Sequence, residues 1–109
     1  MSLNNQSNWK ESEYIQYLHH ERHMFAWCFV AYGKSSEDDA KKLAEEFYYY
    51  EPADVGELRG LVFHDEAWHW AMLKIFGGQY WIKFPHLESV PTDYRIESAR
   101  YDDQQLKKG

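Results

Sequence analysis

Hydrophobic and polar positions along this chain repeat with the period of a helix rather than that of a strand. In "NWKE", Glu11 follows Asn8 by three residues, the spacing of a capping box, and predicts a helix from there to about Tyr32 with Gly33 as its left-handed stop. At roughly 100° per residue, Tyr14, Leu18, Phe25, Phe29 and Tyr32 fall on one face of it, with Ile15 on the shoulder. Its second half, "MFAWCFVAY", is apolar almost all round, as in a helix that is central in the fold or has a second face against a partner. A second helix is predicted over "KSSEDDAKKLAEEF". Ser35 or Ser36 caps it, the acids Glu37, Asp38 and Asp39 sit at its positive end, and Ala40, Leu43, Ala44 and Phe47 form its apolar stripe. Pro52 ends the run by disfavouring a helical Glu51.

A third pattern opens at Asp54 and Glu57, again with capping-box spacing, lasts to Phe76 and stops at Gly77-Gly78. As one helix it places Leu58, Leu61, Val62, Trp68, Met72, Ile75 and Phe76 on a shared face. Gly56 and Gly60 each weaken its first turns by roughly 1 kcal/mol relative to Ala, so a break near Phe63 with Asp65 capping a second helix is the alternative. Beyond the glycines "QYWIKFP" alternates in part, which predicts a short extended segment near residues 79–85. The remainder is polar, with a short helix expected after Asp93 and frayed ends over 1–8 and 102–109. The expected fold is a mainly α, compact domain of three to four helices, with residues 1–109 forming a single domain.

Composition sharpens this picture in two ways. With 5 Trp, 9 Tyr and 6 Phe in 109 residues, the chain carries more ring surface than so small an interior readily covers, so part of it is expected to meet a partner. Tyr48, Tyr49 and Tyr50 stand in sequence, where one helix end cannot bury all three, and Trp27 and Trp70 fall off their helices' main stripes, as do Met24 and Phe63. The net charge of −6 offers no basic face for nucleic acid or for an anionic membrane surface. The polar N-terminus lacks signal-peptide character, "MFAWCFVAY" is about half the length of a membrane span, and the single Cys28 lies in an apolar run. A cytoplasmic protein is expected, with Cys28 as a small core residue whose thiol is unreactive.

The candidate chemistry centres on histidine. "HDEAWH" resembles a zinc-protease helix only superficially: His64 and His69 are five apart, about 140° around a helix, and cannot hold one metal from one face. Asp65 and His69 do share a face, and mutual hydrogen bonding is the simplest way to satisfy such a pair. Glu66 and His69 have the i, i+3 spacing of di-iron bundles, but no second Glu-x-x-His accompanies them. In "HHERH", His19 and His23 have the i, i+4 spacing that can chelate a divalent metal, while His20 points further toward the polar side. If the first and third helices pack together, His19, His23, Asp65 and His69 form a ligand set suited to zinc or another first-row divalent metal. No Gly-x-Ser-x-Gly elbow or phosphate loop occurs, and no catalytic residue is assigned. Three readings therefore stand in order. The first is a non-enzymatic protein–protein interaction module working through Trp27, Tyr48, Tyr49, Tyr50 and Trp70, by self-association as a homodimer or with a foreign protein, and needing no cofactor. The second is a metal-binding protein or metal-dependent hydrolase. The third is an apolar ligand pocket walled by Trp68, Met72 and Phe29.

Overall fold

Helix α1, Glu11–Ala31, is the element against which α2 (Glu37–Phe47), α3 (Ala67–Phe76) and α5 (Thr92–Lys108) all pack. The computed structural model describes residues 9–108, and among these there is no strand. A 3₁₀-rich connector, with turns at Ala53–Leu58 and Leu61–His64, joins α2 to α3, and the single helical turn α4 (Tyr80–Lys83) and a 3₁₀ turn at Pro85–Leu87 lead into α5. No helix among the described residues is long and apolar enough to cross a membrane.

Three-sided packing explains why much of the apolar second half of α1 is covered, although Val30 and Ala31 near its end remain exposed. Tyr14, Leu18 and Phe25 of the expected stripe are buried, and so are Met24 and Cys28 from outside it. Each such side chain stabilises the fold by about 1.5–3 kcal/mol on burial. Lys10, not Asn8, occupies the position before the first turn. Asn8 lies outside the described residues, and Glu11 is engaged elsewhere, accepting from the Tyr50 hydroxyl and from Arg59. At the other end Lys34, not Gly33, is the left-handed residue. Gly33 is required for a different reason: a Cβ there would meet the Phe29 carbonyl at 2.9 Å and Ile75 of α3 at 3.3 Å. Helix α2 is capped by Ser36, whose Oγ accepts from the Asp39 amide. Its small buried residues, Ala40 and Ala44, let α2 lie close on α1, while Phe47 stacks on Phe25.

The pattern over 54–76 is not one helix. Gly56 (φ 86°) and Gly60 (φ 77°) are both in conformations that no α-helix allows, so the first half becomes 3₁₀ turns, and α3 begins only at Ala67. Asp65 is extended and does not cap α3; Glu66 takes that position without a side-chain cap bond. The expected extended segment at 79–85 is likewise replaced by helical turns. A lone strand would leave its backbone unpaired, whereas Gln79 in the left-handed region starts a turn that buries Tyr80 and then Leu87. The C-terminal helix is also longer than expected, running unbroken to Lys108 with Glu97–Arg100 and Asp103–Lys107 ion pairs along it.

The connector is held from beneath by Arg59, whose side chain is 1% exposed. Its Nε donates to the Glu51 carbonyl at 2.7 Å, its Nη2 donates to Glu11 Oε1 at 2.7 Å, and the guanidinium lies 3.9 Å from the Tyr14 ring centroid. The Arg59 carbonyl accepts from the Trp9 indole, and the Glu51 carboxylate accepts from the Gly60 amide. A buried guanidinium that loses its planar fork leaves several acceptors unpaired, so Arg59→Met should lower the unfolding free energy by about 2–4 kcal/mol, with Lys an incomplete substitute. Glu11→Gln should cost far less, because that carboxylate sits at the solvent edge. Urea denaturation of both variants measures the difference; equal small losses would remove Arg59 from its anchoring role.

Candidate functional site

The residues expected to ligate a metal are distributed over two surfaces. His19 is exposed on α1, and His23, one turn on, donates from Nε2 to Glu97 Oε2 at 2.6 Å while its ring stacks on Tyr101 at 4.4 Å. His69 shares a 2.9 Å hydrogen bond through Nδ1 with the Tyr80 hydroxyl rather than with Asp65. Since Asp65 precedes α3, the i, i+4 geometry expected of the pair does not arise. Asp65 and His69 line a shallow cleft of about 340 Å³ with His64, Tyr80 and Glu88, apart from the groove that His19 and His23 border. Burial, then the charges of Asp65 and Glu88, raise the Tyr80 hydroxyl above its ordinary pKa. Among the described residues no three His, Cys, Asp or Glu side chains gather as a metal ion would need.

The aromatic residues expected at an interface divide in the same way. Tyr48 belongs to the core instead: it closes α2, is buried against Phe25, and its hydroxyl has no hydrogen-bond partner among the described residues. Trp70 is half-buried on Phe47 and donates to the Val62 carbonyl. Tyr50 is exposed, but its hydroxyl is engaged by Glu11. Tyr49 stands free of the body at 67% exposure. Trp27 is half-buried, edge-on to Tyr32 and Tyr94. Met72 is packed core rather than a pocket wall, and Trp68, also buried, borders the His64–His69 cleft while its indole donates to the Leu87 carbonyl. Burial pushes the Cys28 thiol well above its ordinary pKa, as expected of an unreactive core cysteine.

A groove with a volume of about 600 Å³ lies between α1, α2 and α5. Arg22, His23 and Trp27 enter it from α1, Lys41 and Ala44 from α2, and Glu97, Arg100 and Tyr101 from α5. Glu97 is paired on both sides: Arg100, more than His23, holds its carboxyl down at about 2. Its contribution to stability is therefore present above the ordinary carboxylate value and is lost only in strong acid.

Behind the groove lies a group that the sequence reading passed over. Glu21 is 3% exposed; its Oε1 accepts from the Ala67 amide, the first of α3, at 3.1 Å, and its Oε2 accepts from His20 Nδ1 at 2.8 Å. His20 continues the chain, with Nε2 2.8 Å from Ser98 Oγ and 3.8 Å from Asp102. A signal for this was available, since Glu21 stands seven residues after Tyr14, three after Leu18 and four before Phe25, on the buried stripe itself. Comparison of the chain with protein families, curated proteins and solved structures finds no match.

The hydrogen bond to Glu21, opposed by burial and aided by the charges of Glu21, Asp102 and Glu66, raises the pKa of His20 above 6.5. The folded protein thus holds this proton more tightly than the unfolded chain. The resulting stability is fully present below the unfolded value and disappears as pH rises through the folded one. The stability advantage of the parent over His20→Gln should accordingly be largest below about pH 6.5 and shrink as pH rises above it. Urea denaturation below and above that pH reads it directly; parallel curves for the two proteins would show that His20 does not titrate in this network.

Proposed function

We propose that this chain is a non-enzymatic protein–protein interaction module acting in the cytoplasm, and that the connector between α2 and α3 is its contact surface. What supports this most is an anchored segment that nevertheless displays apolar side chains. Leu58 and Leu61 are each 63% exposed, Val55 is exposed beside them, and Tyr49 stands at the start of the segment. Singly exposed apolar residues are ordinary on any protein. Here Val55, Leu58 and Leu61 fall within seven residues whose backbone is fixed by Arg59, Glu51 and Trp9. An ordered platform loses little conformational entropy on binding, which favours it over a mobile loop as a docking surface.

The charge around it suits a protein partner rather than nucleic acid. Asp54 and Glu57 are exposed beside the leucines, the one arginine of the segment is turned inward, and the whole chain carries −6. The single, buried Cys28 is in keeping with a reducing compartment. A second copy of the chain and a foreign protein both remain within this reading.

A photoreactive phenylalanine analogue placed at Leu58 or Leu61 in the living cell tests it. Discrete adducts are expected from both sites and not from exposed Lys42 on α2, at twice the chain mass for a homodimer or at another defined mass for a foreign partner. Irradiation that yields no discrete adduct from either leucine, in a variant that melts like the parent, would overturn the assignment.

A further inference from the structure

The groove between α1, α2 and α5 holds a feature that neither fold stability nor the connector surface uses. Arg22 is half-buried, and its guanidinium makes one hydrogen bond among the described residues, from Nε to the Tyr48 carbonyl at 2.8 Å. No carboxylate among those residues lies within ion-pair distance of it, in contrast to Arg59, Arg95 and Arg100. The Tyr48 carbonyl fixes the plane of the guanidinium, and its Nη donors have no acceptor among the described residues. Beside it the indole N–H of Trp27 also lacks a partner among the described residues, and Lys41 lines the groove from α2 without an ion pair. Among the described residues the buried side-chain polar atom without a partner is the Tyr48 hydroxyl, so the Arg22 Nη groups and the Trp27 N–H stay open to the groove and available to a ligand.

From this arrangement we infer that the groove is a binding site for a small amphiphilic anion, with its carboxylate, sulfonate or phosphate on Arg22 and Lys41 and its apolar body against Trp27, Ala26 and Val30. The volume of about 600 Å³ is that of an ordinary small-molecule site. A planar guanidinium with both Nη groups free matches two anion oxygens at once. The acids in the groove do not cancel this. Glu97 is already paired with Arg100, and Glu37 and Glu45 are exposed on α2, where solvent screens them as it does Lys41, so the half-buried Arg22 carries most of the attraction.

The test uses two fluorescent probes that differ only in charge: anilinonaphthalene sulfonate, and phenylnaphthylamine, which has the same ring body without the sulfonate. The anionic probe should bind at least about ten-fold more tightly than the neutral one. Arg22→Gln should erase that difference by weakening the anion alone, and Trp27→Leu should weaken both probes. Because Arg22 also touches the Tyr48 carbonyl, Lys41→Gln, on the exposed face of α2, provides a second variant free of that contact and should weaken only the anion, by roughly three-fold. Leu58→Gln with Leu61→Gln should leave both affinities unchanged, separating this site from the connector. Equal binding of the two probes, an anion affinity unmoved by Arg22→Gln and Lys41→Gln, or loss of binding in the connector variant would each overturn the inference.

Discussion

A buried carboxylate fixes the geometry of this fold. Placing Glu21 in the interior costs several kcal/mol of desolvation, and the arrangement holds only because the amide of Ala67 and the imidazole of His20 both donate to it. The first amides of a helix have no intrahelical acceptor, and the helix dipole makes that end partly positive. Glu21 supplies from α1 the cap that α3's own sequence lacks, since Glu66 at the cap position makes no such bond. Sliding α3 along α1 by even one residue would leave the carboxylate or the amide unpaired. Apolar packing alone tolerates several registers of two helices; this hydrogen bond selects one.

Arg59 imposes the corresponding constraint at the N-terminal end of α1. Its guanidinium joins the first turn of α1 to the end of α2 and to the connector, through Glu11, the Glu51 carbonyl and the face of Tyr14. A connector so short of regular hydrogen bonding would ordinarily be mobile. Here its polar groups are satisfied inward, so its apolar side chains are left outward. The exposure of Leu58 and Leu61 is thus a consequence of where Arg59 is buried. Gly60 belongs to the same device: its left-handed backbone and the Trp9 indole, 2.8 Å from where a Cβ would stand, leave no room for a side chain.

The elements legible in the sequence were those decided by local chemistry. Ser36 and its acids gave the start of α2, Gly77 gave the end of α3, and periodicity gave the body of α1. Elements decided by distant partners were not legible. Tyr48 reads as surface from its neighbours Tyr49 and Tyr50, yet it turns inward because α2 ends where Phe25 and Phe63 leave a space for its ring. The alternation in "QYWIKFP" resembles a strand, but Tyr80 is drawn into the core and bonded to His69, which only the third dimension reveals. For the site, histidine spacing could not reveal that His69 pairs with Tyr80 rather than Asp65 or that His23 turns to Glu97, and Arg22 gave no local signal because its acceptor is twenty-six residues away.

The histidines that invited a metal reading are better understood through the weakness of α5 as an apolar element. Of that helix only Tyr94 is fully buried, while Glu97, Ser98 and Tyr101 face α1 half-covered and Ile96 and Leu106 face solvent. A helix so polar cannot dock by hydrophobic burial alone. His20 and His23 supply what is missing, reaching Ser98 and Glu97 across the interface and stacking against Tyr101. His23 commits Nε2 to Glu97 and its ring face to Tyr101, so it serves the α1–α5 interface, and among the described residues no third His, Cys, Asp or Glu gathers with it and His19 as a metal ion would need. "HHERH" is therefore a seam between helices. His20 and Glu21 bind inward to α3 and sideways to α5, His23 completes the hold on α5, and Arg22, facing the groove with its Nη donors unspent, is the member of the motif left for a ligand.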